Sequence, residues 1–241
     1  MSLAASANRL RNPQLVMIRC RMTLPDHLRR LARRVAQHEM GHYVVARALG
    51  FRTGDVSIEI IGPIDGHHGT AAVTLPEPIG SIEELCTYLE RRVIVLYAGG
   101  AAETLPGQGS PTKKVDVEEA VKIIRNPGQG AEQDHAKARE LVHVLRNVST
   151  PKSDVSDDAK IQGELDELDA KLFSRAVELV EENAETIIGL AGNLAGRVQA
   201  PKTKVKLDAA YLEGLPGVQQ IAQVSPSKAT NGMLLGSVGP S

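Results

Sequence analysis

The chain has 241 residues, a hydrophobic content of 42% and a formal net charge of −1, from 28 basic and 29 acidic residues. This length suits one large domain or a domain with appendages, and the balanced charge gives no general attraction to nucleic acid or to a membrane surface. No apolar run approaches the roughly 18 residues of a membrane-spanning helix, so no membrane span is expected. The two cysteines, Cys20 and Cys86, form no C-x-x-C pair. We therefore expect neither a disulfide framework nor a thiolate zinc site, and a reducing, cytoplasmic compartment.

Composition divides the chain into three parts. Every charged residue before Asp26 is an arginine, and residues 1–25 are weakly patterned, which predicts a flexible basic leader. Residues 26–215 carry periodic apolar patterns and are expected to form the folded domain. Gly, Pro and Ser prevail in 216–241, which predicts a disordered tail.

The segment His-Glu-Met-Gly-His at residues 38–42 lies within a helical pattern that runs from Asp26, the expected N-cap, to Leu49, with Gly50 expected just past the end. One stripe with steps of three and four residues combines apolar and histidine side chains: Leu28, Leu31, Val35, His38, His42, Val45 and Leu49. Neighbouring imidazoles at i and i+4 can reach one ion, and zinc binds imidazole nitrogen at roughly 2.0–2.1 Å. Glu39 lies one step round the helix, where it can accept a proton from a water molecule that the metal activates.

The alternative for this helix is a pair of histidines that only pack in the core. Burying His38, His42 and Glu39 without a metal or hydrogen-bond partners would be costly, which favours the metal site.

Two β strands are expected next. Val56–Ile60 alternates and is β-branched, and residues 70–75 form a second apolar run, which together predict a hairpin with a loop over 62–69. In zinc peptidases an extended substrate often pairs with a strand edge beside the metal. His67 and His68 in the loop are candidates for a metal ligand or a transition-state donor, and a solvated loop position is the alternative.

A capping box, Ser81 with Glu84, predicts a helix that continues to about Ala98. The following small residues, 99–102, permit close helix packing, and the helix that carries His38 and His42 is one candidate neighbour. Glu103 is then either a third metal ligand or a structural carboxylate.

Helices are also expected over 115–125 and 131–146. Asp134 occupies a polar step in the apolar stripe of the second one, and a carboxylate that faces a core is costly unless it is paired or bound to a metal. It is therefore the best candidate for a third zinc ligand, and a first-turn aspartate favoured by the helix dipole is the alternative. His135 points about 100° away round the helix.

The rest of the chain is predicted to be helical, with polar connections. Residues 147–163 are expected to be a mobile connection, and 164–197 two helices or one bent near Gly189. A last short helix is expected over 206–212, capped by Asp208.

The order of these motifs resembles the peptidase domain of the FtsH-type ATP-dependent zinc metalloproteases, which are membrane-anchored proteins. The family's H-E-x-G-H helix, V-S-I strand, G-G-x-A-A-E helix end and G-A-x-x-D helix start correspond to 38–42, 56–58, 99–103 (one residue shorter) and 130–134. Over about 28–215, the resemblance implies Zn2+ bound by His38, His42 and Asp134, and Glu39 as the catalytic base. It also implies endoproteolysis of unfolded polypeptides and assembly into hexameric rings.

The chain also departs from that family. No G-x-x-x-x-G-K-[ST] phosphate loop occurs in these 241 residues, so ATP-driven unfolding is not expected within this chain. Segment 105–130 is longer than the usual link in the family.

We therefore predict a mainly α, helical zinc-peptidase domain with a small β-hairpin beside the metal site. Its predicted activity is that of a zinc metalloendopeptidase acting on unfolded or flexible polypeptides. The alternatives are a zinc-stapled adaptor without catalysis and a peptidase subunit that acts with a separate ATPase.

Overall fold

The computed structural model describes residues 24–62, 66–74, 78–126, 130–150 and 156–224. Over these residues the fold is mainly helical with one small antiparallel sheet, which confirms the predicted fold class at that level. Its elements, in chain order, are α1 (Asp26–Ala48), β1 (Arg52–Gly62), β2 (Gly66–Thr74), α2 (Ile82–Glu103), α3 (Val117–Arg125), α4 (Glu132–Ser149), α5 (Asp158–Glu182), α6 (Ala184–Gly196), β3 (Lys204–Leu207), α7 (Ala209–Glu213) and α8 (Pro216–Gln219). None of the helices in this described part is long and apolar enough to cross a membrane.

Helix α1 is the centre of the core and packs against α2, α6 and β1. Its predicted stripe is buried almost throughout, with His38 and His42 on the same inner side as Val35 and Val45. The predicted Asp26 cap is wrong: Pro25 is the N-cap residue, and Asp26 begins the helix and accepts a hydrogen bond from Arg29.

The predicted hairpin is part of a three-stranded sheet with the order β2-β1-β3. The expected loop over 62–69 is too long, because β2 begins at Gly66. His67 and His68 are therefore strand residues, opposite Ile60 and Glu59 of β1. This pairing fixes which face of the strand each histidine occupies.

Helix α2 begins at the predicted cap, since the Ser81 side chain accepts a hydrogen bond from the Glu84 backbone N–H at 3.1 Å. It does not end near Ala98 but continues to Glu103. The small residues lie inside the helix because α1 crosses there at close range. A Cβ added to Gly41 would lie 2.5 Å from Ala102 Cβ and 2.6 Å from the Ala98 carbonyl oxygen.

We expect Gly41→Ala to lower the free energy of unfolding by about 1–3 kcal/mol, because the added methyl group forces the two helices apart. Gly189→Ala is the matched control. A Cβ at Gly189, inside α6, meets nothing within 4 Å, so this variant should gain up to about 1 kcal/mol from helix propensity. Urea unfolding with a chelator present measures both without a contribution from metal binding. Equal stability of the two variants would contradict the close crossing.

The predicted C-terminal helices form with different boundaries. The expected connection over 147–163 is too long, because 147–149 belong to α4 and 158–163 to α5. Residues 151–155 of this connection lie outside the described residues. The break between α5 and α6 falls at Asn183 and not near Gly189.

The expected helix over 206–212 is wrong at its start, because Lys204–Leu207 forms β3 and pairs with β1. Asp208 caps α7 as predicted, and its side chain accepts a hydrogen bond from the Tyr211 backbone N–H at 2.8 Å.

The expected tail begins too early. Helix α8 lies within it, Val218 is buried, and the Val224 backbone N–H donates to the Ala48 carbonyl at 2.8 Å. Residues 225–241 lie outside the described residues. So do residues 1–23 of the predicted leader, whereas Leu24 is buried in the core.

Candidate metal centre

Three side chains from two helices meet at one point. Helix α1 provides His38 and His42, and the first turn of α4 provides Asp134. His42 Nε2 lies 3.1 Å from His38 Nε2 and 3.0 Å from Asp134 Oδ2, and His38 Nε2 lies 3.3 Å from the same oxygen. Within the described residues this is the one group of three or more His, Cys, Asp or Glu side chains close enough to hold a metal ion. The structure thus brings together the three residues that the sequence predicted as ligands.

Both imidazoles are oriented through their other ring nitrogen. His42 Nδ1 lies 2.7 Å from the Val95 carbonyl oxygen, which can only accept, so Nδ1 carries the proton and Nε2 presents a lone pair. His38 Nδ1 lies 3.4 Å from Glu103 Oε2, and the other oxygen of Glu103 accepts from Arg34 at 2.6 Å. Glu103 is therefore placed as a structural carboxylate and not as a third metal ligand, the other role considered for it. Such partners of a histidine ring fix the tautomer that a metal needs.

The donor set fits a divalent cation. With both Nδ1 atoms protonated, two nitrogen lone pairs and one carboxylate oxygen point at each other, and this arrangement repels unless a positive charge lies between them. Separations of 3.0–3.3 Å match the edge of a tetrahedron with bonds of roughly 2.0 Å, which is about 3.3 Å. Two imidazoles and one carboxylate are ligands that zinc accepts, and they leave a fourth position open.

Without a metal, a proton takes the place of the cation. Burial lowers the pKa of His38, but its hydrogen bonds to Asp134 and then Glu103 outweigh burial and raise the pKa to about 10. Burial likewise raises the pKa of Asp134, but the hydrogen bonds from His38 and His42 hold it well below its usual range. The Asp134 carboxylate is therefore charged beside the two imidazoles, and a cation next to it is electrostatically favourable.

Glu39 lies next to the three ligands without joining them. It is only 8% exposed, and burial raises its pKa even though His42 and His38 act in the opposite direction. Strand β2 packs directly on it: a Cβ at Gly69 would overlap the Glu39 carboxylate. A buried carboxylate with a raised pKa is a stronger base than one in water.

The room for the two imidazoles comes from Gly99 of α2. A Cβ there would lie 2.5 Å from His42 Nε2 and 2.8 Å from His38 Nε2. The sequence indicated close packing at this segment but not that Gly99 faces the two histidines, because that alignment depends on how α1 crosses α2.

Gly99→Ala is expected to weaken zinc binding by about 10–100-fold, as other changes around metal ligands do. Gly100→Ala is the control, because its Cβ would lie 2.5 Å from Ile124 Cγ1 in the core and touch no ligand. Competition with a chromophoric chelator measures both affinities, and circular dichroism checks that both variants fold. Wild-type affinity in Gly99→Ala would show that the ion is not held between these rings.

The side chains of His38, His42, Asp134 and Glu39 line a cleft of about 810 Å³ between β2, α1, α2 and α4. His67 and His68 of β2 line the cleft but do not join the ligand cluster. Burial lowers the pKa of His67, which keeps its ring neutral near pH 7. The sequence did not indicate that Arg92 and Lys137 also line this cleft. Arg92 lies 50 positions after His42 along the chain, so no local pattern places it in the cleft, whereas Lys137 lies one helical turn beyond Asp134.

No protein-family model matches this chain, and no curated protein matches its sequence. The function must therefore be inferred from the residues of the cleft and from their geometry.

Proposed function

We propose that this chain is a zinc-dependent metallopeptidase, with His38, His42 and Asp134 as zinc ligands and Glu39 as the general base. The observation that carries the proposal is the convergence of two Nε2 atoms and one carboxylate oxygen within 3.0–3.3 Å of each other. The buried carboxylate of Glu39 lies beside them in an open cleft. The motif resemblance to the FtsH-type peptidase domain supports the same assignment.

The three ligands, Glu39 and Gly69 each have a defined role in this proposal. Zinc, when bound, supplies a Lewis acid that acidifies water and polarises a carbonyl group. The Glu39 carboxylate accepts a proton from the attacking water and returns it to the leaving amine. The backbone of Gly69 lies against Glu39 and excludes bulk solvent from one side of the carboxylate.

The sheet offers a way to bind an extended substrate. Strand β2 is at the edge of the sheet: β1 covers one side, and the other has no strand partner among the described residues. Gly69, Ala71 and Val73 of β2 line the cleft. An extended polypeptide can add to such an edge through main-chain hydrogen bonds, a mode that suits unfolded or flexible chains.

The openness of the site supports catalysis over the alternative of a zinc-stapled adaptor. Structural zinc sites take four protein ligands and are closed, whereas catalytic sites have three and an open position. Here three ligands face a cleft that also contains Glu39, for which a structural site has no use.

The proposal predicts that the zinc-loaded protein cleaves fluorescently labelled casein, a largely unfolded polypeptide, without ATP. Cleavage should stop when 1,10-phenanthroline removes the metal and return when zinc is restored. Loss of cleavage with the chelator and recovery with zinc separate this activity from that of a contaminating serine protease. Zinc-loaded protein that leaves both casein and short peptides uncut would contradict the proposal.

A further inference from the structure

The cleft has two chemically different ends. Helices α2 and α4 run antiparallel. Gly99 near the end of α2 and Asp134 near the start of α4 both lie against His42. At the opposite ends of the two helices, Cys86 Sγ lies 3.7 Å from Ser149 Oγ. Cleft residues that precede Gly99 on α2 therefore lie on the same side of the metal centre as those that follow Asp134 on α4. Arg92 and Lys137 meet this condition, and both line the cleft.

Strand β2 runs along the cleft from the Gly130 end toward the Arg92 end. His67 lies near Gly130, whose Cβ would be 3.1 Å from the imidazole ring, and Gly69 lies over Glu39. Ala71 and Val73 continue the strand away from Gly130 and line the cleft with Leu96. The lining on the Arg92 side thus includes the apolar residues Ala71, Val73 and Leu96 together with two cations.

Neither cation is neutralised within the described residues. Arg92 is partly buried, Lys137 is exposed, and neither forms a hydrogen bond or an ion pair with any other described residue. Arg34, by contrast, pairs with Glu103 at the other end. A guanidinium that is partly removed from water without a partner favours an anion that enters with the ligand.

We infer that Arg92 and Lys137 bind a carboxylate of the polypeptide substrate, either an Asp or Glu side chain or the chain terminus. This inference rests on the proposed function and specifies its substrate class. Arg92 precedes Gly99 by seven residues, about 10 Å along the helix axis. This distance corresponds to about three residues of extended peptide, so the carboxylate lies within about three residues of the scissile bond.

The test uses binding and not turnover. Rhodamine-labelled peptide hydroxamates, which attach to zinc through the hydroxamate, carry Glu or Gln at each of the three positions next to it. One series has the hydroxamate at the C-terminal end, and the other has it at the N-terminal end with a free or amidated C-terminus. Fluorescence anisotropy with the zinc-loaded wild-type protein gives the affinities.

In one of the two series, the peptide with Glu at one position should bind roughly tenfold more tightly than the peptide with Gln there. This ratio of affinities should fall at high salt. If the peptide with a free C-terminus binds tenfold more tightly than the amidated peptide, and Glu and Gln peptides bind equally, the bound carboxylate is the chain terminus. The preference should disappear in the double variant R92Q/K137Q. It should remain in R30Q/R33Q, which removes the same charge from the exposed face of α1.

Equal affinity for all pairs in the wild type would overturn the carboxylate site, while tight binding of the probes would leave the metal centre standing. Retention of the preference in R92Q/K137Q would also overturn it. A protein that binds no zinc and no probe would overturn the proposed function and this inference together.

Discussion

Glu39→Gln should bind zinc as the wild type does and lose about 10²–10⁴-fold in the rate of polypeptide cleavage, the usual contribution of a general base. Glutamine has the size of glutamate, so the contact with Gly69 is preserved, but its amide cannot accept the proton of the attacking water. The measurement pairs zinc content with the initial rate of casein cleavage at saturating zinc.

The control for this variant is Glu140→Gln. Glu140 lies on the exposed face of α4, so its charge is removed without change in the cleft, and wild-type rates are expected. If zinc-loaded Glu39→Gln cleaves at the wild-type rate, Glu39 has no part in the chemistry, and the metal centre would have to act without a carboxylate base.

Asp134→Ala should bind zinc roughly 10²–10³-fold more weakly than the wild type. This range follows from dividing the about 10–16 kcal/mol of a four-ligand zinc site equally among its ligands. The carboxylate oxygen is the one ligand atom that α4 contributes, and its loss leaves only the imidazole pair. Competition with a chromophoric chelator of known affinity gives the ratio.

His135→Ala is the matched control for Asp134→Ala. The neighbouring histidine is itself a potential metal ligand, but it lines a separate groove with Arg139 and Asp169. Its removal should leave zinc affinity unchanged. If both variants bound zinc equally tightly, Asp134 would be a first-turn aspartate and not a ligand.

The approach of Asp134 to the two histidines of α1 could be predicted because these polar residues interrupt a local apolar pattern. His38, His42 and Asp134 each take a position that an apolar residue would fill in an amphipathic helix. Polar groups at such positions require partners, so the sequence indicates that these three residues meet, even though 92 positions separate Asp134 from His42.

The features that the sequence did not predict depend on how elements distant along the chain pack together. Strand β3 has only four residues and pairs with β1 from about 150 positions away along the chain, so no local pattern reveals it. The predicted end of α2 is too early because glycines usually interrupt helices. Gly99 and Gly100 instead lie inside α2, where the helix packs against the histidines and Ile124. The role of Glu103 likewise depends on Arg34, which lies on another helix.

The most direct test of the metal centre is the zinc content of the wild-type chain. The purified protein is incubated with zinc, the excess is removed by gel filtration, and the metal is counted by mass spectrometry against the protein concentration. We predict about one zinc ion per chain. A protein that retains no zinc after this treatment would contradict the metal centre and, with it, the proposed peptidase activity.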